Sequence, residues 1–194
     1  GLYEAYRAFE DGDDQVAVLQ ADGPAFCVGA DLHNPPAAMW KAVPHVSHAL
    51  TKPVIAATQG WVIGGGICLV MTCDLMVSAD TTKFMYPEAK VGVFGGLMPG
   101  IVSRMPHKVA MELLLLGEEI SVKRAYDVGF VNKVVPLAAA RAKAAAAGVA
   151  GNTSRIRAAT GPRCGRYTDR LHGSGASSGR TSTSRPARRC GAAR

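Results

Sequence analysis

The sequence lacks the cysteine spacing of a disulfide framework. Three of its five cysteines, Cys27, Cys68 and Cys73, lie inside apolar runs, and the other two lie near the C-terminus. A chain of 194 residues is long enough to bury a core without covalent cross-links. We therefore interpret the three thiols as packed side chains of a cytoplasmic protein in a reducing environment.

The chain also lacks the features of a targeting or membrane segment. Residues 1–4 contain neither the basic nor the apolar region that begins a signal peptide. Residues 53–73 form an uncharged run of 21 residues, which is long enough to cross a bilayer. Because this run contains Pro53, Gln59 and three adjacent glycines, we expect strand, loop and helix inside a core, and no membrane partner.

Acidic residues are almost absent from the C-terminal part. Residues 1–137 hold 10 basic and 14 acidic residues, whereas residues 138–194 hold 12 basic residues and the single acid Asp169. The second segment also contains no Glu, Gln, Met, Phe or Trp. Such a composition buries too little apolar surface to offset the entropy of ordering. We predict a disordered, low-complexity basic tail over residues 138–194, with loose packing from Thr153 onward.

Two origins of this tail are open. It is either a natural basic arm that contacts nucleic acid or acidic lipid, or a GC-rich gene read out of frame. We favour the second origin because Ala, Arg, Gly, Pro, Ser and Thr dominate the segment. A nucleic-acid-binding module would also need an aromatic platform or a recognition motif, and the sequence offers neither. We expect no nucleic-acid partner.

Apolar patterning predicts an α/β domain over residues 1–137, because strand-like and helix-like segments alternate. Gly117 is placed to end one helix and Ser121 to begin another. The predicted strands are residues 16–19, 54–57, 75–79 and 130–135, and the predicted helices are residues 2–9, 65–72, 108–116 and 121–129.

Two glycine- and alanine-rich junctions, residues 25–32 and 60–66, each follow a strand-like run. Small residues at a strand-to-helix junction leave main-chain N–H groups accessible. Two such junctions facing each other supply two donors for one developing negative oxygen. Pro87 and Glu88 follow a few dozen residues later, and the Glu88 carboxylate can move a proton.

Seven segments in this order resemble the crotonase family, also called the enoyl-CoA hydratase/isomerase family. The resemblance covers about residues 1–136 and implies a spiral of repeated strand–strand–helix turns. It also implies that the chain begins inside the family's first helix, which makes the expected fold N-terminally truncated. The segments are residues 16–19, 26–32, 52–57, 64–66, 73–74, 84–88 and 125–132.

The resemblance implies a catalytic role for three residues. The amides of Ala30 and Gly65 would form an oxyanion hole for the thioester carbonyl of an acyl-CoA, and Glu88 would transfer a proton. A carboxylate in an apolar pocket has a raised pKa and exchanges protons near neutrality. The structural alternatives are tight helix–strand packing for the glycines and a solvated strand end for Glu88.

The same resemblance implies a coenzyme A pocket. Val28, Asp31 and Leu32 would edge this pocket together with the two oxyanion residues, and Trp61 would line the pantetheine channel. Asp31 is equally well suited to cap a helix, and Trp61 to fill the core. Coenzyme A would enter only as part of the substrate, with no separate cofactor. The family also implies a homotrimer or a dimer of trimers.

One position departs from the hydratases of this family. Typical hydratases carry a second glutamate three residues after the oxyanion glycine, where this chain has Cys68. Two carboxylates can hold and split a water molecule, whereas one carboxylate is enough to carry a proton along an enoyl chain. We therefore favour double-bond isomerisation over hydration. The alternative is a catalytically inactive relative that binds or assembles.

No metal site is expected. His45 and His48 have a spacing that some metal sites use, but the sequence offers no third ligand for them. A surface role for both histidines is the simpler interpretation.

Overall fold

The computed structural model describes residues 1–31, 37–93, 95, 97–147 and 153–158, and these residues form an α/β fold. The described strands are β1 Val16–Ala21, β2 Val54–Thr58, β3 Trp61–Ile63, β4 Leu75–Ala79, β5 Lys83–Met85, β6 Ile120–Ser121, β7 Lys133–Val135 and β8 Thr153–Ala158. The described helices are α1 Leu2–Asp11, α2 Gly65–Met71, α3 Met98–Val102, α4 His107–Leu116, α5 Val122–Asp127 and α6 Ala140–Ala147. Short 3₁₀ turns span Met39–Ala42, Pro87–Val91 and Leu137–Ala139.

The main sheet has five parallel strands in the order β7-β4-β2-β1-β8. All six residues of β1 are buried, which explains the uninterrupted apolar run over residues 16–19. Ala17 and Leu19 pack into the larger hydrophobic cluster, while Val16 and Val18 pack into a smaller cluster with α6. Helical residues therefore cover both faces of the sheet.

A second sheet of three strands has the order β3-β5-β6. β3 and β5 are parallel and aligned so that Ile63 is opposite Met85, whereas β6 is antiparallel to β5. Cys27 extends this sheet on its other side through a parallel bridge to Val62. The two glycine-rich junctions and the segment that precedes Glu88 therefore meet at one small sheet.

The predicted helix ends are present in the structure. α4 ends at Gly117, whose φ of +57° is the left-handed conformation that favours glycine. The Ser121 side chain accepts a hydrogen bond of 3.3 Å from the Arg124 amide and caps α5. Among the described residues, no helix is both long and apolar enough to cross a membrane.

The expectation of a disordered tail over residues 138–194 does not hold for Ala140–Ala147, which form α6 and pack against the main sheet through Ala140 and Ala144. The expectation of loose packing from Thr153 onward does not hold for Thr153–Ala158. These residues form β8, which pairs in parallel with β1 and places the buried Ile156 opposite Leu19. The edge of β1 offers main-chain hydrogen bonds that do not depend on side-chain composition, so one large apolar side chain is sufficient here. Residues 159–194 lie outside the described residues, and the domain boundary after residue 137 stays a prediction.

Candidate active site

The glycine turn between β3 and α2 is built for close approach. Gly64 has φ +56° and ψ −117°, a conformation that only glycine adopts readily, and its amide donates to the Met85 carbonyl at 3.0 Å. A Cβ added at Gly66 would lie 2.8 Å from the Cβ of Cys27. The turn therefore fixes α2 against both the first junction and the end of β5.

The first of the two junctions, residues 25–32, lies beside the glycine turn. The Phe26 and Cys27 amides both donate to the Trp61 carbonyl, at 3.1 Å and 3.0 Å, and the Ile63 amide donates to the Cys27 carbonyl at 2.7 Å. A Cβ added at Gly29, whose φ is +99°, would lie 3.8 Å from the Ile63 carbonyl oxygen. Since Ala30 comes next in the chain, its amide is close to the start of the glycine turn.

The amides of Ala30 and Gly65 have the freedom that an oxyanion hole requires. Gly65 is the first residue of α2, so its N–H has no acceptor in the preceding turn of helix. Within the described part of the chain, neither amide donates to a loop, turn or cap carbonyl. A Cβ added at Gly65 would meet no atom within 4 Å, so the space beside it is open. That both amides point into one cavity stays a prediction.

Glu88 lies directly against the glycine turn. It follows β5 in the 3₁₀ turn Pro87–Val91, and its Oε1 is 2.6 Å from the place that a Cβ on Gly64 would take. Its Oε2 is buried and has no hydrogen-bond partner among the described residues. Burial raises the pKa of this carboxyl from 4.5 to about 7. Glu88 can therefore gain and lose a proton near neutrality.

Cys68 and Tyr86 form a neutral wall next to Glu88. Cys68 lies one turn of α2 beyond Gly65 and is buried, and its thiol interacts with the Tyr86 hydroxyl. Burial raises the pKa of the thiol to about 11, against the opposing effect of Tyr86. Burial also raises the pKa of Tyr86, so both groups are protonated at neutral pH.

Sequence reasoning missed Tyr86. The tyrosine lies two residues before Glu88 in the chain, but its interaction with Cys68 connects the residue that follows β5 to α2. Nothing in the local sequence indicates that contact.

The remaining predicted pocket residues lie on or beside the same junctions. Val28 is half-buried and Asp31 is exposed, whereas Leu32 lies outside the described residues. The Lys83 Nζ lies 5.2 Å from the centre of the Trp61 ring. The roles of Val28, Asp31 and Trp61 in binding coenzyme A stay predictions.

The two histidines have different neighbours. His45 Nε2 lies 3.8 Å from Asp74 Oδ2, and the His48 ring makes an edge contact with Tyr3 at 6.5 Å between centroids. The described residues contain no group of three or more His, Cys, Asp or Glu side chains placed to hold a metal ion.

Comparison with known proteins identifies the family. The family model described as enoyl-CoA hydratase/isomerase matches residues 2–150. The chain belongs to the enoyl-CoA hydratase/isomerase family. This confirms the resemblance and the fold class predicted from the sequence.

Relatives within the enoyl-CoA hydratase/isomerase family include an (E)-benzylidenesuccinyl-CoA hydratase from Thauera aromatica. It is 36% identical over 143 residues, which cover 66% of this chain and 55% of that protein. An enoyl-CoA isomerase/hydratase from Mycosarcoma maydis is 32% identical over 137 residues, covering 63% of this chain and 49% of that protein. The chain thus spans about half the length of the curated relatives it matches.

Solved structures of this family have the same fold. A carnitinyl-CoA dehydratase from Mycobacterium avium superposes with a TM-score of 0.68 at 34% identity, covering 76% of this chain and 61% of that one. An enoyl-CoA hydratase from Mycobacterium marinum gives a TM-score of 0.69 at 30% identity, covering 75% and 61%.

Proposed function

We propose that this protein acts on an enoyl-CoA thioester and moves its carbon–carbon double bond. The observation that carries the proposal is the Glu88 carboxylate, which lies half-buried against the glycine turn with one oxygen buried and unpartnered among the described residues. Its pKa of about 7 suits a group that must both accept and return a proton.

The proposed reaction is a proton transfer through an enolate. The Glu88 carboxylate removes a proton from C2 of a 3-enoyl thioester, and the electron pair moves onto the thioester oxygen. The amides of Ala30 and Gly65 donate hydrogen bonds to that oxygen while it is negative. The protonated Glu88 then returns the proton at C4, which gives the 2-enoyl thioester. Losing one such donor typically slows a reaction by about a hundredfold or more.

Cys68 is the reason for favouring isomerisation over hydration. Its buried thiol is neutral at physiological pH because the pKa is raised to about 11, so it cannot serve as a second carboxylate. Glu88 alone can carry a proton along the substrate, but none of the described residues gives it a charged partner with which to hold a water molecule. The relatives include proteins named for hydration and for isomerisation, so the preference for isomerisation rests on Cys68.

We further propose the remaining properties that the family resemblance implies. These are no cofactor beyond the coenzyme A of the substrate, a cytoplasmic role in fatty acid β-oxidation, and a homotrimer or a dimer of trimers. Light scattering of the purified full-length protein tests the last of these, because a monomer would contradict it.

The rate should depend on pH through Glu88. The carboxylate is the form that removes the proton, so we expect kcat/KM for isomerisation to rise as pH increases through about 7 and then to level off. The measurement is kcat/KM on a 3-enoyl-CoA between pH 4 and 9. A profile that is flat over this range, or that rises only near pH 4.5, would show that Glu88 is not the base.

Substitution of Cys68 should separate the two activities. Cys68→Ala should retain most of the isomerisation, because the thiol only packs, and Cys68→Glu should raise the ratio of hydration to isomerisation by adding a second carboxylate. Both products can be measured by chromatography from one reaction. If Cys68→Ala loses isomerisation as completely as a substitution of Glu88, the thiol has a chemical role that contradicts our assignment.

A further inference from the structure

The three glycines of the turn between β3 and α2 have three different surroundings. A Cβ added at Gly64 would lie 2.6 Å from the Oε1 of Glu88, and a Cβ added at Gly65 would meet no atom within 4 Å. A Cβ added at Gly66 would lie 2.8 Å from the Cβ of Cys27 and 3.2 Å from its Sγ. Gly66 is therefore the position at which the Cys27 side chain packs closely against α2.

Backbone conformation does not require glycine at position 66. Gly66 lies within α2 and, unlike Gly64, does not have a positive φ. Alanine stabilises a helix more than glycine does, so glycine is the less stable residue here by helix propensity alone. The space that the Cys27 side chain occupies is the physical reason for glycine at this position.

Main-chain hydrogen bonds hold Cys27 in place. Its amide donates to the Trp61 carbonyl at 3.0 Å, and its carbonyl accepts from the Ile63 amide at 2.7 Å. Cys27 also forms the parallel bridge with Val62. Because these partners lie in β3, which leads directly into the glycine turn, a group added between Cys27 and Gly66 would push the first junction and α2 apart.

The proposed oxyanion donors lie on either side of this contact. Gly65 comes directly before Gly66, and Ala30 comes three residues after Cys27. An oxyanion hole made by these two amides takes one donor from α2 and the other from the first junction. The separation of α2 from the first junction would then determine the distance between the donors.

We propose that Cys27 and Gly66 are positioning residues, whose contact sets the separation of the two oxyanion donors. This inference rests on the proposed function and deepens it. Contacting carbon atoms are normally about 3.5–4.0 Å apart, so a methyl group that starts 2.8 Å from the Cys27 Cβ requires a shift of about 1 Å. A misplacement of about 1 Å can cost about a hundredfold in rate.

The test moves a methyl group from one side of the contact to the other. Gly66→Ala should lower kcat for isomerisation of a 3-enoyl-CoA by about a hundredfold. Adding Cys27→Gly removes the Cβ and Sγ that the new methyl group would meet and leaves only the carbonyl oxygen at 3.3 Å. This double variant should recover about tenfold in kcat, a coupling typical of residues in contact. A double variant as slow as Gly66→Ala alone would overturn the proposal.

Cys27→Ala provides a graded comparison for the same test. It removes the Sγ but keeps the Cβ, which is the atom closest to the added methyl group. Combined with Gly66→Ala, it should therefore recover much less of kcat than Cys27→Gly does. Equal recovery by the two substitutions would show that the close approach of the Cβ does not determine the rate, which would also overturn the proposal.

A second measurement distinguishes positioning from a loss of folded protein. A 3-oxoacyl-CoA bound as its enolate, which is detected by ultraviolet absorbance, carries negative charge on oxygen, whereas a saturated acyl-CoA of the same length carries a neutral carbonyl. Gly66→Ala should weaken binding of the enolate by about tenfold more than binding of the saturated acyl-CoA, because a displaced donor matters more to a charged oxygen. Dissociation constants do not depend on the folded fraction, so equal weakening of both ligands would overturn the proposal.

Gly100→Ala is the matched control for Gly66→Ala. A Cβ added at Gly100, in α3, would lie 2.9 Å from the Cε of Met71, which is the last residue of α2. This variant also adds a methyl group against α2, but at the end of the helix away from the proposed oxyanion hole. We expect little change in kcat, because the end of a methionine side chain is flexible and moves aside. A loss as large as that of Gly66→Ala would assign the effect to general loosening around α2 and would overturn the inference.

The outcome also distinguishes this inference from the proposed function. If the unsubstituted full-length protein does not isomerise a 3-enoyl-CoA, the proposed function fails and this inference fails with it. If the unsubstituted protein isomerises the substrate and Gly66→Ala does so equally well, only the positioning role of Cys27 and Gly66 fails.

Discussion

Replacing Glu88 with glutamine is expected to abolish turnover while leaving coenzyme A binding intact. Glutamine keeps the shape of the side chain but cannot accept a proton, and acid–base catalysis by one residue contributes about 10²- to 10⁴-fold in rate. Because Glu88 is the only proposed proton carrier, we expect a loss near the upper end of that range. Steady-state kinetics and calorimetric titration with an acyl-CoA provide the two measurements, and an unimpaired variant would contradict the mechanism.

The same substitution should stabilise the protein at alkaline pH. The pKa of Glu88 is about 7 in the folded protein and near 4.5 in the unfolded chain, so the folded state binds more protons between these values. Stability of the unsubstituted protein should therefore fall as pH rises from about 4.5 to about 7. Glu88→Gln avoids burying this charge and should unfold at a higher temperature than the unsubstituted protein at pH 8, but not at pH 4.

An exposed carboxylate provides the control for this stability effect. Glu118 is exposed, so Glu118→Gln should show little difference from the unsubstituted protein at either pH. If Glu88→Gln is no more stable than the unsubstituted protein at pH 8, the carboxylate is hydrated rather than buried in apolar surroundings.

The second large effect is expected from Gly64→Ala. The added methyl group would lie 2.6 Å from Glu88 Oε1, so the carboxylate or the turn must move. The positive φ adds backbone strain, which typically costs about 1–3 kcal/mol. We expect both a lower melting temperature and a loss of isomerisation of about a hundredfold, since a displaced catalytic group of this kind commonly costs that much.

Gly129→Ala is the matched control for Gly64→Ala. Gly129 also has a positive φ, of +79°, but an added Cβ would meet no atom within 4 Å. It should lower the melting temperature without a comparable loss of rate. Equal losses of activity in the two variants would mean that backbone strain, and not the displaced carboxylate, explains the effect at Gly64.

Local patterns were sufficient to predict most of the elements that surround the site. The apolar run over residues 16–19 of β1 follows from burial on both faces of a parallel sheet, and the helix that begins at Gly65 follows from the glycine turn. The end of α4 at Gly117 follows from its left-handed conformation. These features are determined by residues that are close together in the sequence, so a short segment is enough to predict them.

The features that were not predicted depend on long-range contacts. β8 has one large apolar residue, Ile156, and becomes a strand only because the edge of β1 accepts its main-chain hydrogen bonds. The contact of Tyr86 with Cys68 likewise joins two elements that no local pattern connects. In both cases, the residues that determine the structure lie far apart in the chain, so the local sequence of either segment does not predict the contact.

The small three-stranded sheet has a consequence for the way in which activity would be lost. The two sides of the proposed site, which carry the oxyanion amides and Glu88, are connected through β3 and β5. The connections are the bridge between Cys27 and Val62 and the hydrogen bond from the Gly64 amide to the Met85 carbonyl. A sub-global opening of this sheet would separate the carboxylate from both amides while the five-stranded sheet remained folded. The protein would then become inactive before it denatured, and a bound thioester that spans both walls would slow hydrogen exchange of the Ile63 and Gly64 amides.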